Sequence, residues 1–268
     1  MSYSERQQAM LEAMGIKVWT APPAAAPAAP AAPAAASAAP PSPVAEAPVP
    51  VAAVLPPMPV APVAPSVPAG AREQAIAAMD WPALRESVAG CRACGLCEAR
   101  KQTVFGVGHE HAHWMVVGEA PGEQEDLQGE PFVGQAGKLL DSMLRALGLG
   151  RAEGPPERQV FIANTLKCRP PRNRNPEPAE LAQCEPYLNR QIALVQPRII
   201  LAMGRFAVQS LLRSNEPIGK LRGRVHEYQG VPLIVTYHPA YLLRNLVDKA
   251  RAWEDLCLAM DTLQQGKT

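Results

Sequence analysis

Four short runs, Trp114–Gly118, Val160–Asn164, 198–203 and 233–238, recur through the C-terminal half, each rich in Val, Ile, Leu or Ala and each bounded by turn residues. Runs this short and this uniformly apolar suit strands buried on both faces, and such strands need helices to cover them. Helical patterns fill the gaps at 138–147, Pro178–Val195 and 206–213. The alternation predicts a three-layer α/β/α fold with a central, mainly parallel four-stranded sheet. In such sheets reactive side chains gather where strands end.

Upstream the composition changes. More than half of the 30 prolines lie between Pro22 and Pro68, in a tract of Ala, Pro and Val whose one charged residue is Glu46. Proline removes amide donors and blocks helix propagation, so this apolar tract cannot satisfy its backbone within a bilayer. Residues 21–70 read as a disordered, semi-rigid linker. Before it, Ser4-Glu5-Arg6-Gln7 has the form of a capping box, and Ala9, Met10, Leu11 and Met14 follow at helical spacing up to Gly15. Ile16, Val18 and Trp19 then form an apolar hook, making residues 1–20 a short amphipathic docking segment. The run MGIKVW resembles the amino-terminal peptide by which the psi subunit of the bacterial replicase clamp loader docks on its chi partner. No uninterrupted apolar core of a secretory signal is present in this segment, which sets the expectation of a cytoplasmic protein.

Residues 71–268 form the folded domain. Ala75, Met79, Trp81, Leu84 and Val88 fall on one face of a helical segment leading into CRACGLC. At the other end, Trp253, Leu256, Cys257, Met260 and Leu263 share a stripe, so Cys257 reads as a core thiol. The formal net charge of +1 excludes a global polycation, and a nucleic-acid partner would have to meet local basic loops.

The cysteines point to a bound metal. Cys91, Cys94 and Cys97 form a C-x2-C-x2-C run, and Cys168 and Cys184 bracket the proline- and arginine-rich stretch RPPRNRNPEPAELAQ. In a chain of this expected compartment, close thiols are ligands more often than disulfides. Four thiolates suit zinc or an iron–sulfur cluster. A ferredoxin-like reading would use all three of the first group, yet Lys101 stands where its next cysteine belongs.

The strand ends carry Glu119 with Glu125 and Asp126, then Asn164, then His238. A carboxylate, an amide and an imidazole on one sheet edge suit a pocket that reads a polar ring. GQAGKLL is not a phosphate loop, because Phe132 and Leu139 stand where that pattern needs Gly and Ser or Thr.

Three segments in order, GEAPGEQEDLQGEPFVGQAGKLL, NTLKCRPPRNRNP and HPAYLLRN, resemble the signature segments of the family 4 uracil-DNA glycosylases, the iron–sulfur-containing branch of that superfamily. The resemblance covers the chain from about Gly90 onward. It implies that Phe132 stacks on a flipped-out uracil, that Asn164 pairs with its O4 and N3–H edge, and that Glu125 excludes a thymine methyl. His238 would donate toward uracil O2 as the N-glycosidic bond breaks. Glu119, Ala120 and Gly122 would lie under the sugar and the attacking water. Ala120 replaces the Asp of the better-known family, which leaves Glu119 as the water-positioning residue. Cys91, Cys94, Cys168 and Cys184 would hold a [4Fe–4S] cluster, with Cys97 outside the ligand set or in place of Cys94.

Arg169, Arg172 and Arg174 would face DNA phosphates, joined by Arg244, and Tyr241, Leu242 or Leu243 would act as an apolar wedge in the gap left by the base. A neighbouring subgroup links covalently to DNA through a His in this loop. KCRPPRNRNP has none, so hydrolysis with turnover is expected. The resemblance further implies uracil-containing DNA as partner, a monomer, and work at the bacterial nucleoid. An alternative from another class is a non-catalytic iron–sulfur protein that binds DNA and senses lesions.

Overall fold

The structure, a computed structural model, describes residues 69–152 and 154–265. The docking segment 1–20 and nearly all of the linker 21–70 lie outside the described residues.

The domain opens with two helices, α1 (Ala69–Ala77) and α2 (Trp81–Ala89), where the sequence pattern suggests one. The break is local chemistry. Asp80 caps α2 by accepting the Ala83 amide at 3.0 Å, and Pro82 sits in the first turn, the one part of a helix that tolerates it. The break also moves the buried face. Ile76, Leu84 and Val88 are buried, whereas Ala75 is exposed. A short helix α3 (Leu96–Ala99) closes the cysteine turn.

The remaining elements follow in order: β1 (Val107–Gly108), β2 (Trp114–Gly118), α4 (Glu123–Gln128), α5 (Gln135–Ala146), β3 (Val160–Asn164), α6 (Pro178–Val195), β4 (Ile199–Met203), α7 (Arg205–Leu212), α8 (Ile218–Leu221), β5 (Val225–Tyr228), β6 (Val231–Thr236), α9 (Pro239–Leu242) and α10 (Asp248–Gln265). The sheet order is β1-β3-β2-β4-β6-β5. Its centre is the expected set of four parallel strands, β3, β2, β4 and β6. Two short antiparallel strands, β1 and β5, extend it at the edges. The sequence hides them because β1 is two residues long and β5 alternates between exposed and half-buried positions.

Strand alternation builds both layers. Met115, Val117, Phe161, Ala163, Ile200, Ala202, Leu233 and Val235 pack against α1, α2, α6 and α7. Their neighbours Trp114, Val116, Val160, Ile162, Leu201 and Ile234 pack against α5 and α10. Cys257 is half-buried on the second of these cores, as its helical stripe predicts. From β2 the chain passes to β3 on one side, then crosses back to β4 on the other. The resulting switch point lies at the carboxyl end of β2, where open α/β sheets bind ligands. No helix among the described residues is long and apolar enough to cross a membrane.

Candidate active site

A cleft of about 810 Å³ opens at this switch point, and all four parallel strands feed it. β2 delivers Glu119, Ala120 and Gly122, β3 delivers Asn164, β4 delivers Gly204 and Arg205, and β6 delivers Tyr237 and His238.

Asn164 is the last residue of β3, and its side chain is 2% exposed. The buried Lys167 ammonium donates to the Asn164 carbonyl at 2.8 Å and to Gln191 Oε1 at 2.6 Å, which fixes the backbone at this strand end. Asn164 Oδ1, by contrast, is buried without a hydrogen-bond partner. Such an acceptor costs about 1–3 kcal/mol, so its presence at a cleft marks a position awaiting a donor.

Phe132 lies beside it. A Cβ on Gly118 would collide with both the Phe132 ring and Asn164 Oδ1, so glycine at the end of β2 is what lets ring and amide share the floor of the cleft. Phe132 has φ 56°, a left-handed conformation that costs a non-glycine residue roughly 1–3 kcal/mol. Its ring is stacked on His238, with centroids 5.4 Å apart and planes 29° apart.

His238 caps α9, where its Nδ1 accepts the Ala240 amide at 3.2 Å. An accepting Nδ1 puts the proton of the neutral ring on Nε2. Burial pushes the imidazole down to about 4, with Arg244 acting in the same direction and the Glu125 carboxylate opposing. At neutral pH the ring is therefore uncharged with Nε2–H as its donor.

Burial also raises the Glu119 carboxyl above the ordinary carboxylate range, while Arg205 pulls it back. Arg205 carries no distinguishing signal in the sequence, where a lone arginine after a strand reads as a solvated helix start. It directly follows Gly204 at the end of β4 and lines the cleft.

The other expected site residues divide. Glu125 lines the cleft, but its carboxylate is engaged by the loop: Oε1 accepts the Val133 and Gly134 amides at 3.0 and 3.2 Å, and Oε2 accepts the Gly122 amide at 3.0 Å. Asp126 turns away and accepts the Lys101 amide at 3.0 Å. Leu242 is fully buried in the core beneath α9, so it cannot be a wedge. The exposed apolar residues of this stretch are Leu243, Leu246 and Val247. The helical turn of α9 points Leu242 inward and Leu243 outward, a distinction adjacent leucines do not display in sequence. Tyr241 lines the cleft, stacks on Tyr237 and donates its hydroxyl to Asp248 at 2.7 Å.

Among the loop arginines, Arg174 differs most from expectation. Both of its terminal nitrogens bind Glu180, at 2.9 and 2.6 Å, and the same carboxylate caps α6 through the Glu177 amide. Arg174 thus braces the loop while it also lines the cleft. Arg169 bonds Asn173 Oδ1 at 2.7 Å, and Arg172 stands exposed at φ 55°. Arg244 lies on the cleft rim.

On the opposite side of Lys167, Cys91, Cys94, Cys97, Cys168 and Cys184 line one small cavity, all as free thiols. Arg100 donates to Cys168 Sγ at 3.0 Å and the Lys167 amide to Cys184 Sγ at 3.3 Å. Burial pushes the Cys184 thiol up to about 12 and raises Cys94 and Cys168 as well. Among the described residues, no group of three or more His, Cys, Asp or Glu is arranged to hold a metal ion.

A family model described as the Uracil DNA glycosylase superfamily matches residues 105–257. A type-4 uracil-DNA glycosylase of Archaeoglobus fulgidus is 44% identical over 164 residues, covering 58% of this chain and 79% of the relative. A type-4 enzyme of Pyrobaculum aerophilum is 40% identical over 190 residues, covering 67% and 93%. A type-5 uracil-DNA glycosylase of the same organism is 32% identical over 149 residues, covering 52% and 66%. Because the matched stretch runs from β1 through β6 into α10 and carries every strand end that lines the cleft, the chain belongs to the uracil-DNA glycosylase superfamily, among its type-4 members.

Proposed function

We propose that this protein removes uracil from DNA by hydrolysing the bond between the base and deoxyribose, releasing free uracil and leaving an abasic site. The observation that carries this reading is that Asn164, whose buried Oδ1 is unpaired and lies beside the Phe132 ring, lines the same cleft as the neutral His238. Uracil offers an N3–H to that acceptor and O4 to the amide donor, whereas cytosine presents the opposite pattern. Phe132 supplies the flat face on which the base stacks. His238 Nε2–H donates toward O2 as the base leaves with negative charge. Water then adds to the sugar cation, and its proton is lost to solvent or to Glu119. Cleavage of a uracil-containing oligonucleotide after alkaline scission tests the reading. A preparation with full metal content that leaves the oligonucleotide intact would favour the non-catalytic, lesion-sensing alternative.

Glu119 positions the water in this scheme, since Ala120 has no polar group and Glu119 is the acidic residue of the turn that lines the cleft. A sugar cation demands charge stabilisation more than strong base catalysis. Glu119→Gln is therefore expected to slow single-turnover cleavage by about 10–100-fold, within the usual range for acid–base groups or below it. An unchanged rate would remove Glu119 from this role.

Cys91, Cys94, Cys168 and Cys184 are assigned to a [4Fe–4S] cluster. Support comes from their shared cavity, their free thiols and the N–H groups aimed at Cys168 and Cys184, which suit anionic sulfur. When bound, the cluster would cross-link the Cys91–Cys97 turn to the loop after β3 and to α6, bracing the arginine-bearing loop. Serine at any of these four positions is expected to abolish the brown absorbance of the purified protein, whereas Cys97→Ser keeps it. Loss of colour in Cys97→Ser alone would mean that Cys97 is a ligand in place of Cys94.

DNA phosphates meet Arg172, Arg169 and Arg244, and Leu243 serves as the wedge. The segment 1–20 recruits a replication or repair protein of the clamp-loader chi kind, a reading supported by MGIKVW and by the linker that follows it.

A further inference from the structure

Arg151 lies outside all three signature segments, in the loop after α5, yet it reaches the backbone of Pro131 and of the cleft-lining Phe132. Its guanidinium makes three bonds: Nε to Asp141 Oδ1 at 2.7 Å, Nη1 to the Pro131 carbonyl at 2.7 Å, and Nη2 to the Phe132 carbonyl at 2.8 Å. The three acceptors are met by three different nitrogens of one planar fork, a spread of donors that the single ammonium nitrogen of a lysine does not reproduce. From the other side, Glu125 holds the next two amides, those of Val133 and Gly134. Gly137 closes the remaining space, because a Cβ there would collide with the Phe132 carbonyl.

Four consecutive residues, Pro131 to Gly134, are therefore pinned by a cation on their carbonyls and an anion on their amides. The residue at the centre of this grip is Phe132, at φ 56°. A phenylalanine left free would relax to negative φ and swing its ring away from Gly118 and Asn164. The left-handed backbone persists because its surroundings over-determine it.

Building on the reading that a flipped base stacks on Phe132, we propose that Arg151 is a positioning residue for base recognition, gripping the Pro131 and Phe132 carbonyls so that the ring stays where the base must land. Arg151 touches neither base nor sugar and acts through Phe132.

The test compares the full-length protein with Phe132→Ala, Arg151→Met, Arg151→Lys and the Phe132→Ala/Arg151→Met double variant. Single-turnover uracil excision is measured alongside affinity for abasic DNA, which has no base to stack. Arg151→Met is expected to slow excision by about 10–100-fold, as displacement of a reacting partner by an ångström does. Affinity for abasic DNA stays at the wild-type value, Arg151→Lys fails to restore the rate, and the double variant is no slower than Phe132→Ala alone. Equal weakening toward uracil and abasic DNA, or a full additional loss in the Phe132→Ala background, would overturn the proposal. Phe132→Ala cleaving at the wild-type rate would instead overturn the stacking reading on which it rests. Should Arg151→Met not fold, Asp141→Asn, which weakens the anchor of the same guanidinium, is expected to slow excision with abasic-DNA affinity unchanged. Wild-type excision by Asp141→Asn would count against the grip.

Discussion

Asn164→Ala is expected to lower uracil excision by roughly 10⁴–10⁵-fold, the loss seen when one side of a hydrogen-bonded recognition edge is removed and the other is left unpaired. Two contacts vanish together, the donor to O4 and the acceptor for N3–H, in a cleft floor where water cannot replace them. Stability should move the other way. In the free protein Asn164 Oδ1 is buried with no partner, so removing it relieves a cost of about 1–3 kcal/mol, offset in part by the cavity left behind. Thermal unfolding of the variant is thus expected at or above the wild-type temperature while cleavage of a uracil oligonucleotide falls below detection. A variant that unfolds earlier but still cleaves at a tenth of the wild-type rate would contradict both halves of the argument. The opposed signs matter because a merely structural asparagine would lose stability and activity together.

His238→Ala is expected to slow excision by about 10²–10³-fold, the loss typical of one donor at a site of developing negative charge. The same residue leaves a mark on folding. Its folded value of about 4 lies below the 6.5 of an unperturbed imidazole, because burial disfavours the charged ring and Arg244 opposes it further. Between those values the unfolded chain takes up a proton that the folded protein refuses. Stability therefore declines as pH falls from about 6.5 toward 4 and then levels off with respect to this group. At 1.36 kcal/mol for each pH unit, the contribution lost between pH 7 and pH 4 is roughly 3 kcal/mol. Denaturant titrations at the two pH values should show this difference in the wild type, with a drop smaller by about that amount in His238→Gln. Equal drops in the two proteins would mean that the ring is not held neutral. Down to about pH 5, loss of excision should not trace to His238, because the ring keeps its Nε2–H and stays uncharged.

The parallel strands and their covering helices were legible because each is a local pattern: short apolar runs for β2, β3, β4 and β6, and helical spacing for α5, α6 and α7. β1 and β5 were not, since an edge strand needs only one partner and carries no continuous apolar run. The separation of α1 from α2 could have been read from Asp80 and Pro82, which form a capping signal inside the periodic stretch. Leu242 and Leu243 could not be told apart, because which neighbour faces the core depends on how α9 lies against it.

For the site, sequence determined the identities: which amide, imidazole and aromatic residues end the strands and loops of the cleft, and which thiols are spaced as ligands. These follow from the chain itself, since strand ends carry the chemistry in a parallel sheet. Tertiary structure alone decided their states. It left Asn164 Oδ1 without a donor, fixed the proton of neutral His238 on Nε2, gave the cleft-lining Glu125 and Arg174 hydrogen bonds that brace their loops, and brought Arg151 from the loop after α5 to the Phe132 carbonyl. Those outcomes depend on burial and on which partner each side chain meets once its loop has folded, whether two residues away, as for His238 and Ala240, or nineteen, as for Phe132 and Arg151, and residue types alone do not encode either.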